Sequence, residues 1–297
     1  MEEIILQAQK LRLWLPLDIQ FARMIAAPSH SPQALLLASA CLSADVRVGH
    51  VCLPLSQLTP KKLFEGRYPK LARLAWQQVG SPKFEAWPFL LLTSQSVSDG
   101  SRSTPLVLDN QRLYFHRMWR HECTIANFFQ RPFKLVAYDE KRIRVVLDSL
   151  FPTKNKMIDW QKIAIAVAIT EQVALISGGP GTGKTTMVAK LLAAILLMID
   201  NTCLRLRIVI VTPTGKVAAS MNEYFALAIQ KMRLDNSLRQ QIACQAMTLH
   251  RLLGVQPNNQ RMRYHRDNPL HVDVLIINET SMIDFRIMAN LIDALPP

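Results

Sequence analysis

The chain lacks the features that mark secreted, zinc-binding or membrane-spanning proteins. Its five cysteines are scattered without a C-x-x-C pair, which argues against a disulfide framework and a zinc site and is typical of a reducing compartment. The longest apolar run extends only from Leu191 to Ile199, so the sequence predicts no transmembrane helix and no membrane partner. The acidic start, Met1-Glu-Glu, lacks the basic flank of a secretory signal, and we expect a cytoplasmic protein.

Acidic side chains are also scarce. The 297 residues include 22 Asp and Glu against 35 Lys and Arg, a formal net charge of +13 that is spread over both halves of the chain. A basic excess of this size favours a polyanionic partner such as DNA or RNA. No repeat or low-complexity segment is visible, and one or two globular domains are expected at this length.

The most informative stretch, residues 175–186, contains the pattern G-x-x-x-x-G-K-T. The apolar run ahead of it, residues 173–177, predicts a buried strand, and residues 187–199 behind it predict a helix. A glycine-rich turn between a strand and a helix is the context of a phosphate-binding loop, because backbone N–H groups and the helix N-terminus then face an anion. A glycine-rich turn that binds nothing is the alternative.

The composition of this loop predicts how it would hold a nucleotide. Lys184 is expected to reach the outer phosphates, and the Thr185 hydroxyl is expected to ligate Mg²⁺. The predicted cofactor-binding residues of the loop are Gly178, Gly179, Pro180, Gly181, Thr182, Gly183, Lys184, Thr185 and Thr186.

The two halves of the chain differ in pattern. Residues 1–150 carry no motif of their own and are predicted to be mainly helical, with a hairpin turn at Asp109-Asn110. Residues 151–297 begin with a polar, proline-containing linker and then alternate strand and helix, which indicates a parallel sheet covered on both faces. We therefore predict an α/β chain of two domains with a boundary near residue 150.

Two side chains at the end of the last predicted strand, residues 272–277, are candidates for hydrolytic chemistry. Ligands of such sheets bind beyond the carboxyl ends of the strands. Glu279 is suited to orient an attacking water, with capping of the next helix as the alternative. Asn278 can accept a hydrogen bond from a metal-bound water but lacks the charge of an aspartate, so weaker Mg²⁺–nucleotide binding or slower turnover is expected.

Several ordered segments resemble superfamily 1B DNA helicases and, most closely, the RecD family, the alpha subunits of bacterial exodeoxyribonuclease V. In the second half they are residues 178–186, 211–219, 248–254 and 275–284. In the first half they are residues 16–22, 50–55 and 112–119. The resemblance covers essentially the whole chain and implies a mainly helical N-terminal domain that docks on RecC, followed by one RecA-like P-loop lobe.

The resemblance also implies an activity. It suggests an ATP- and Mg²⁺-dependent helicase that translocates 5′ to 3′ on single-stranded DNA from duplex ends, in a heterotrimer with RecB and RecC. That helicase–nuclease acts in double-strand-break repair by homologous recombination. Catalysis would rest on Lys184 and Glu279, with a weak, water-mediated metal contact from Asn278.

Five further residues receive roles from the resemblance alone. Gln161 would read the adenine edge, although an ordinary helix-surface glutamine remains an alternative. Thr214 and Lys216 would contact the single-strand phosphate backbone, and a merely solvated charge is the alternative for Lys216. Thr248 and His250 would couple nucleotide state to the DNA path, whereas His250 taken alone fits a satisfied core histidine.

Two departures from the family pattern keep rival hypotheses open. The family has aspartate where this chain has Asn278, and the sequence stops at Pro297, before the later helicase motifs and the second RecA-like lobe. We therefore expect weak or no hydrolysis by this chain alone. The rivals are a truncated, non-hydrolysing subunit that binds only nucleotide or RecC, and another superfamily 1B helicase, against which the N-terminal similarities argue.

Overall fold

The computed structural model describes residues 1–132, 139–151, 158–179, 181–199, 206–231, 245–256 and 261–296. The chain forms two compact units, Met1–Thr124 and Ile125–Pro297. The helix over residues 140–150 packs within the second unit, so the compact units divide earlier than the sequence boundary at residue 150. The assignment of functions to residues 1–150 and 151–297 stays a prediction.

The first unit is mainly helical. Proline occupies the first position of three of its helices, where the missing N–H has no helical partner to lose. The side chains of Trp14 and Trp87 are both 1% exposed in its core. The helices that begin in this unit are α1 (Glu2–Lys10), α2 (Pro16–Ala26), α3 (Pro32–Arg47), α4 (Pro69–Gln78), α5 (Trp87–Leu92) and α6 (His116–Gln130).

A small sheet completes the first unit. Its strands lie in the order β1-β4-β3-β2, with β1 at Cys52–Pro54, β2 at Val97–Ser98, β3 at Leu106–Asp109 and β4 at Arg112–Phe115. The predicted hairpin is confirmed, because β3 and β4 pair antiparallel, but its turn lies one residue later than predicted, at Asn110-Gln111, because Asp109 pairs with Arg112. Asn110 and Gln111 between them both have positive φ, as a two-residue turn that follows the strand twist requires.

The second unit alternates helices and parallel strands. Its helices are α7 (Glu140–Leu150), α8 (Trp160–Thr170), α9 (Lys184–Met198), α10 (Gly215–Lys231), α11 (Leu249–Leu253) and α12 (Phe285–Asp293). Its strands are β5 (Ile208–Thr212), β6 (Ala246–Thr248) and β7 (Val274–Ile277). The strands pair in the order β6-β5-β7, and both pairings are parallel.

Helices cover both faces of this parallel sheet. On one face, α9 and α10 pack on β5 through a core that includes Val188, Leu192 and Ile210. On the other face, α11 and α12 pack through Leu249, Leu291 and Val211. The predicted architecture, a mainly helical first part followed by an α/β part with a parallel sheet, is confirmed. Within the described ranges, no helix has the length and apolarity that a membrane crossing needs.

The strand predicted at residues 173–177 is wrong. The structure assigns no strand to residues 171–179, and the side chain of Leu175 is 80% exposed. A strand is stabilised by cross-strand pairing and burial rather than by its own apolar content. Residues 173–177 have the apolar content, but no described strand pairs with them.

Candidate phosphate-binding site

The glycine-rich loop turns directly into helix α9. Gly181 and Gly183 have φ of 75° and 79°, in the left-handed region that favours glycine, and Gly183 is the N-cap residue of the helix. The Thr182 hydroxyl donates a hydrogen bond to the Gly179 carbonyl at 2.9 Å, which closes the turn. Pro180, a predicted loop residue, lies outside the described residues.

Lys184 and Thr185 begin helix α9 itself. The Lys184 Nζ donates to the carbonyl oxygens of Gly178 at 2.7 Å and Gly179 at 3.3 Å, so the ammonium lies over the loop. Both residues are half-buried, whereas Thr186 is exposed. The N-terminus of α9 thus presents backbone N–H groups and the Lys184 ammonium to the loop, and its first turn also contains the Thr185 hydroxyl.

This donor set fits a phosphate group accompanied by Mg²⁺. Backbone N–H groups at a helix N-terminus and a lysine charge bind phosphate, and Mg²⁺ needs few protein ligands because phosphate and water complete its shell. In the described part of the chain, no group of three or more His, Cys, Asp and Glu side chains could hold a metal ion alone. The Thr185 hydroxyl is the protein oxygen that this loop offers to the metal.

Gln161 contacts the loop from helix α8. Asp159 caps that helix by accepting hydrogen bonds from the backbone N–H groups of Gln161 at 3.0 Å and Lys162 at 3.2 Å. The Gln161 Nε2 donates to the Thr182 carbonyl oxygen at 2.8 Å. Gln161 is therefore held against the loop and is not an ordinary helix-surface glutamine.

A second group of predicted site residues lies at the carboxyl ends of the three strands. Thr212 of β5 is in register with Thr248 of β6, and the backbone N–H of Asn278, just after β7, donates to the Val211 carbonyl at 2.9 Å. Thr214 lies two residues beyond β5, and its hydroxyl accepts a hydrogen bond from the Val217 N–H at 3.3 Å. The sheet therefore brings the ends of β5, β6 and β7 to one edge.

Glu279 has an unusual backbone at this edge. Its φ of 57° lies in the left-handed region, which costs a non-glycine residue about 1–2 kcal/mol. Its exposed side chain forms no capping hydrogen bond to the short 3₁₀ turn at Thr280–Met282, so the capping alternative is not realised. The carboxylate is exposed to solvent at the end of β7.

The predicted DNA-contacting side chains are all on the surface. Thr214, Lys216 and His250 are exposed, which rules out the alternative of a buried core histidine for His250. Thr248 caps α11 by accepting a hydrogen bond from the Arg251 N–H at 3.2 Å. Exposure of Lys216 fits both a phosphate contact and a solvated charge.

The structure thus forms two groups of predicted site residues. Hydrogen bonds connect Gln161, Gly178, Gly179, Thr182 and Lys184, and the strand ends carry Thr214, Lys216, His250, Asn278 and Glu279. Among the described residues, no hydrogen bond or ion pair joins the first group to the second. Sequence reasoning missed Asp159 as the residue that positions Gln161, although an aspartate before an apolar helix is a recognisable N-cap signal.

Comparison with known proteins shows which domain families this chain matches. Residues 161–297 match the model of an AAA domain, and residues 10–114 match the model of the RecBCD enzyme subunit RecD, N-terminal domain. The second unit is therefore a P-loop domain of the AAA class.

Curated relatives agree with both matches. A RecBCD enzyme subunit RecD of Haemophilus influenzae is 34% identical over 100% of this chain and 49% of its own length. A protein of the same name from Buchnera aphidicola is 31% identical over 97% of this chain and 46% of its own length. An ATP-dependent RecD2 DNA helicase of Deinococcus radiodurans is 32% identical over 42% of this chain and 14% of its own length.

The chain therefore contains a RecD N-terminal domain and an AAA domain, and its similarity to RecD subunits extends over nearly the whole of this chain. It spans about half the length of the RecD relatives that it matches.

Proposed function

We propose that this chain supplies the nucleotide-binding lobe of an ATP-dependent DNA helicase subunit of the RecBCD type. The observation that carries the proposal is the loop at residues 178–185, where Lys184 and two left-handed glycines begin a buried helix. The family match and the net charge of +13 support a nucleic acid as the second ligand. Translocation 5′ to 3′ and a role in recombinational repair of double-strand breaks belong to this proposal.

The loop residues would hold Mg²⁺–ATP. Lys184 would exchange its contacts with the Gly178 and Gly179 carbonyls for contacts with the outer phosphates, and the Thr185 hydroxyl would ligate Mg²⁺. Mg²⁺ supplies charge neutralisation of the phosphates when bound. Glu279 would orient water, because it is an exposed carboxylate at the same sheet edge as Thr214 and Lys216.

Lys216, Thr214 and His250 would face single-stranded DNA. All three are exposed and follow β5 and β6, whose carboxyl ends lie at one edge. A lysine at such a position contributes by neutralising a phosphate rather than by reading a base. Binding there is therefore expected to be independent of DNA sequence.

A second candidate function is a subunit that binds nucleotide without hydrolysing it. Asn278 favours this candidate, because a neutral amide stands at the end of β7, where an acidic residue would strengthen the hold on hydrated Mg²⁺. The first unit, which matches the RecD N-terminal model, would then serve mainly to dock on RecC in a heterotrimer that also contains RecB.

The test is to measure Mg²⁺–ATP binding by calorimetry and phosphate release with and without a single-stranded oligonucleotide. We expect weak binding and little DNA-stimulated release from this chain alone. Binding without any release supports the non-hydrolysing candidate, and strong DNA-stimulated release supports the helicase candidate. Absence of Mg²⁺–ATP binding contradicts both.

A further inference from the structure

The first unit contains a cavity of about 800 Å³, a volume within the range of ligand-binding pockets. It is lined by α2, α3, the end of β4, the start of α6 and the loop at residues 103–105. Its apolar wall consists of Leu17, Phe21, Val46 and Phe115. The Phe21 and Phe115 rings contact each other, with centroids 5.0 Å apart. The cavity therefore has a preformed apolar surface that is separate from the phosphate loop.

The apolar wall continues onto the exposed surface of α2. Leu17, Phe21 and Met24 are spaced i, i+4 and i+7, so they share one face of the helix. The side chain of Leu17 is 75% exposed and that of Met24 is 66% exposed. Apolar side chains that lie together on a surface, unlike scattered ones, mark an interaction site.

Two guanidinium groups flank this apolar wall. Arg117 is exposed, lies 5.4 Å from the centroid of the Phe115 ring and forms no ion pair with any residue that the structure describes. Arg47 makes only long contacts, each at 3.5 Å, from its Nη2 to the Leu13 carbonyl and to the Asp18 carboxylate. Because a guanidinium has five N–H donors, both arginines have donors left for a further acceptor.

Among the described residues that line the cavity, Asp18 is the only carboxylate. It is buried and accepts hydrogen bonds from the Leu15 N–H at 2.8 Å and the Ser43 hydroxyl at 2.6 Å. Its charge is also opposed by Arg47. The positive charge of Arg117 is therefore left over, and the lining attracts carboxylates rather than ammonium groups.

We propose that this cavity docks a partner polypeptide through a segment in which large apolar side chains are flanked by carboxylates. An apolar side chain would enter the cavity against Leu17 and Phe21, and its burial would contribute most of the affinity. The flanking carboxylates would pair with Arg117 and Arg47 and orient the segment.

This inference goes beyond nucleotide binding. It rests on the docking role proposed for the first unit, to which it assigns a site and a ligand chemistry. Single-stranded DNA also carries negative charge, but the apolar stripe of Leu17, Phe21 and Met24 offers its phosphates no contact. A polypeptide segment matches both the stripe and the arginines.

Peptide binding by the whole chain tests the inference. The probes are three peptides that carry a neutral fluorophore, measured by fluorescence anisotropy: Asp-Glu-Leu-Phe-Glu-Asp, which is acidic and apolar, Asp-Glu-Ser-Ser-Glu-Asp, which is only acidic, and Lys-Lys-Leu-Phe-Lys-Lys, which is basic and apolar. Leu17→Ser removes an exposed apolar contact, and Arg117→Glu reverses the charge beside Phe115. Leu6→Ser on α1 and Arg73→Glu on α4 make the same changes at exposed residues that do not line the cavity, and they are the matched controls.

We expect the acidic, apolar peptide to bind at least about tenfold more tightly than the other two, because neither of them has both the apolar group and the carboxylates. Leu17→Ser and Arg117→Glu should each weaken its binding roughly 3- to 10-fold. Arg117→Glu should also strengthen binding of the basic, apolar peptide, whereas a loss of fold would weaken binding of every peptide. Leu6→Ser and Arg73→Glu should change none of these affinities.

Three outcomes would overturn the inference. The first is equal affinity for the three peptides, or equal effects of the variants and their controls. The second is displacement of the acidic, apolar peptide by a single-stranded oligonucleotide, which would make the cavity a nucleic-acid site. The third is a dimer in sedimentation that Leu17→Ser abolishes, without selective peptide binding, which would make the occupant a second copy of this chain.

The same samples separate this inference from nucleotide binding. Selective peptide binding by a chain that does not bind Mg²⁺–ATP would contradict the nucleotide-binding function and support the docking cavity. Binding of Mg²⁺–ATP without selective peptide binding would overturn the docking cavity and leave the phosphate loop intact.

Discussion

The ammonium of Lys184 lies 2.7 Å from the carbonyl oxygen of Gly178, six residues before the start of its helix. A carbonyl of the loop therefore accepts a hydrogen bond from the same ammonium that would contact a bound phosphate. A bound phosphate must compete with this contact and with the second one to Gly179. Because charge-assisted hydrogen bonds contribute about 1.5–3 kcal/mol, the competition lowers net affinity, in keeping with the weak nucleotide binding expected of this chain.

Substitution of Gly183 is expected to disrupt the loop. Gly183→Ala places a side chain in the left-handed region, which costs about 1–2 kcal/mol, and puts Cβ against the Gln161 amide. We expect a lower unfolding midpoint in urea and at least tenfold weaker Mg²⁺–ATP binding. Gly215→Ala is the matched control, because no atom lies within 4 Å of its added Cβ. Equal effects of the two substitutions would contradict the loop geometry.

A charge restored at residue 278 is expected to strengthen metal–nucleotide binding. Asn278→Asp adds a carboxylate at the end of β7, and a hydrogen bond from metal-bound water to a charged acceptor exceeds one to a neutral acceptor by about 1 kcal/mol. We predict roughly fivefold tighter Mg²⁺–ATP binding by calorimetry. Asn127→Asp makes the same charge change at an exposed site on α6. If both variants bind Mg²⁺–ATP with the affinity of the unaltered chain, the hypothesis that Asn278 lies near the metal is contradicted.

Loss of the Lys216 charge is expected to weaken DNA binding uniformly. In Lys216→Ala, the slope of log affinity against log salt concentration should be smaller by about one unit, because one phosphate contact is lost. The same change is expected for any oligonucleotide sequence. Fluorescence anisotropy across a salt series measures this slope. Lys231→Ala, an exposed lysine at the end of α10, should leave it unchanged. An unaltered slope in Lys216→Ala would identify Lys216 as a solvated charge.

An ion pair at the start of the sheet predicts a pH dependence of stability. Arg207 donates from its backbone N–H, Nε and Nη2 to the Asp273 carboxylate at 2.8–3.1 Å, and these bonds hold the pKa of Asp273 below its usual value. A lowered pKa in the folded state stabilises the fold above the unfolded-state pKa, and this contribution is lost as pH falls through the folded-state pKa.

Asp273→Asn should therefore lower the urea midpoint at pH 7, and the difference from the unaltered chain should shrink as the pH falls below the usual pKa of an aspartate. Glu223→Gln removes an exposed carboxylate of α10 and is the control. A difference that stays constant with pH would show that the Asp273 charge does not contribute.

The sequence predicted those parts of the fold whose signals are local. The apolar run at residues 187–199 predicted a helix, which forms as α9, and the apolar run at residues 206–212 predicts a strand, which forms as β5. Residues 173–177 have a similar apolar content and were expected to form a strand, yet they have no described pairing partner. Local content does not distinguish these two runs, because pairing depends on which strands the tertiary fold brings alongside.

The features of the candidate site likewise divide into those that local sequence signals predicted and those that they did not. The glycine and lysine spacing of residues 178–185 identified the loop, because each residue type is required by local geometry. The left-handed backbone of Glu279 and the Gln161–Thr182 hydrogen bond were not predicted. The hydrogen bond arises where segments distant in sequence meet, since it joins residues 21 positions apart.

The most direct test of the central claim is the affinity of Lys184→Ala for Mg²⁺–ATP, measured by calorimetry beside the unaltered chain and Lys231→Ala. If the loop at residues 178–185 binds the phosphates, Lys184→Ala should lose detectable binding, because it removes a charge-assisted contact worth about 1.5–3 kcal/mol from a site that we expect to bind nucleotide weakly. Lys231→Ala should bind as the unaltered chain does. Binding of Mg²⁺–ATP by Lys184→Ala with unchanged affinity would contradict the phosphate-loop assignment.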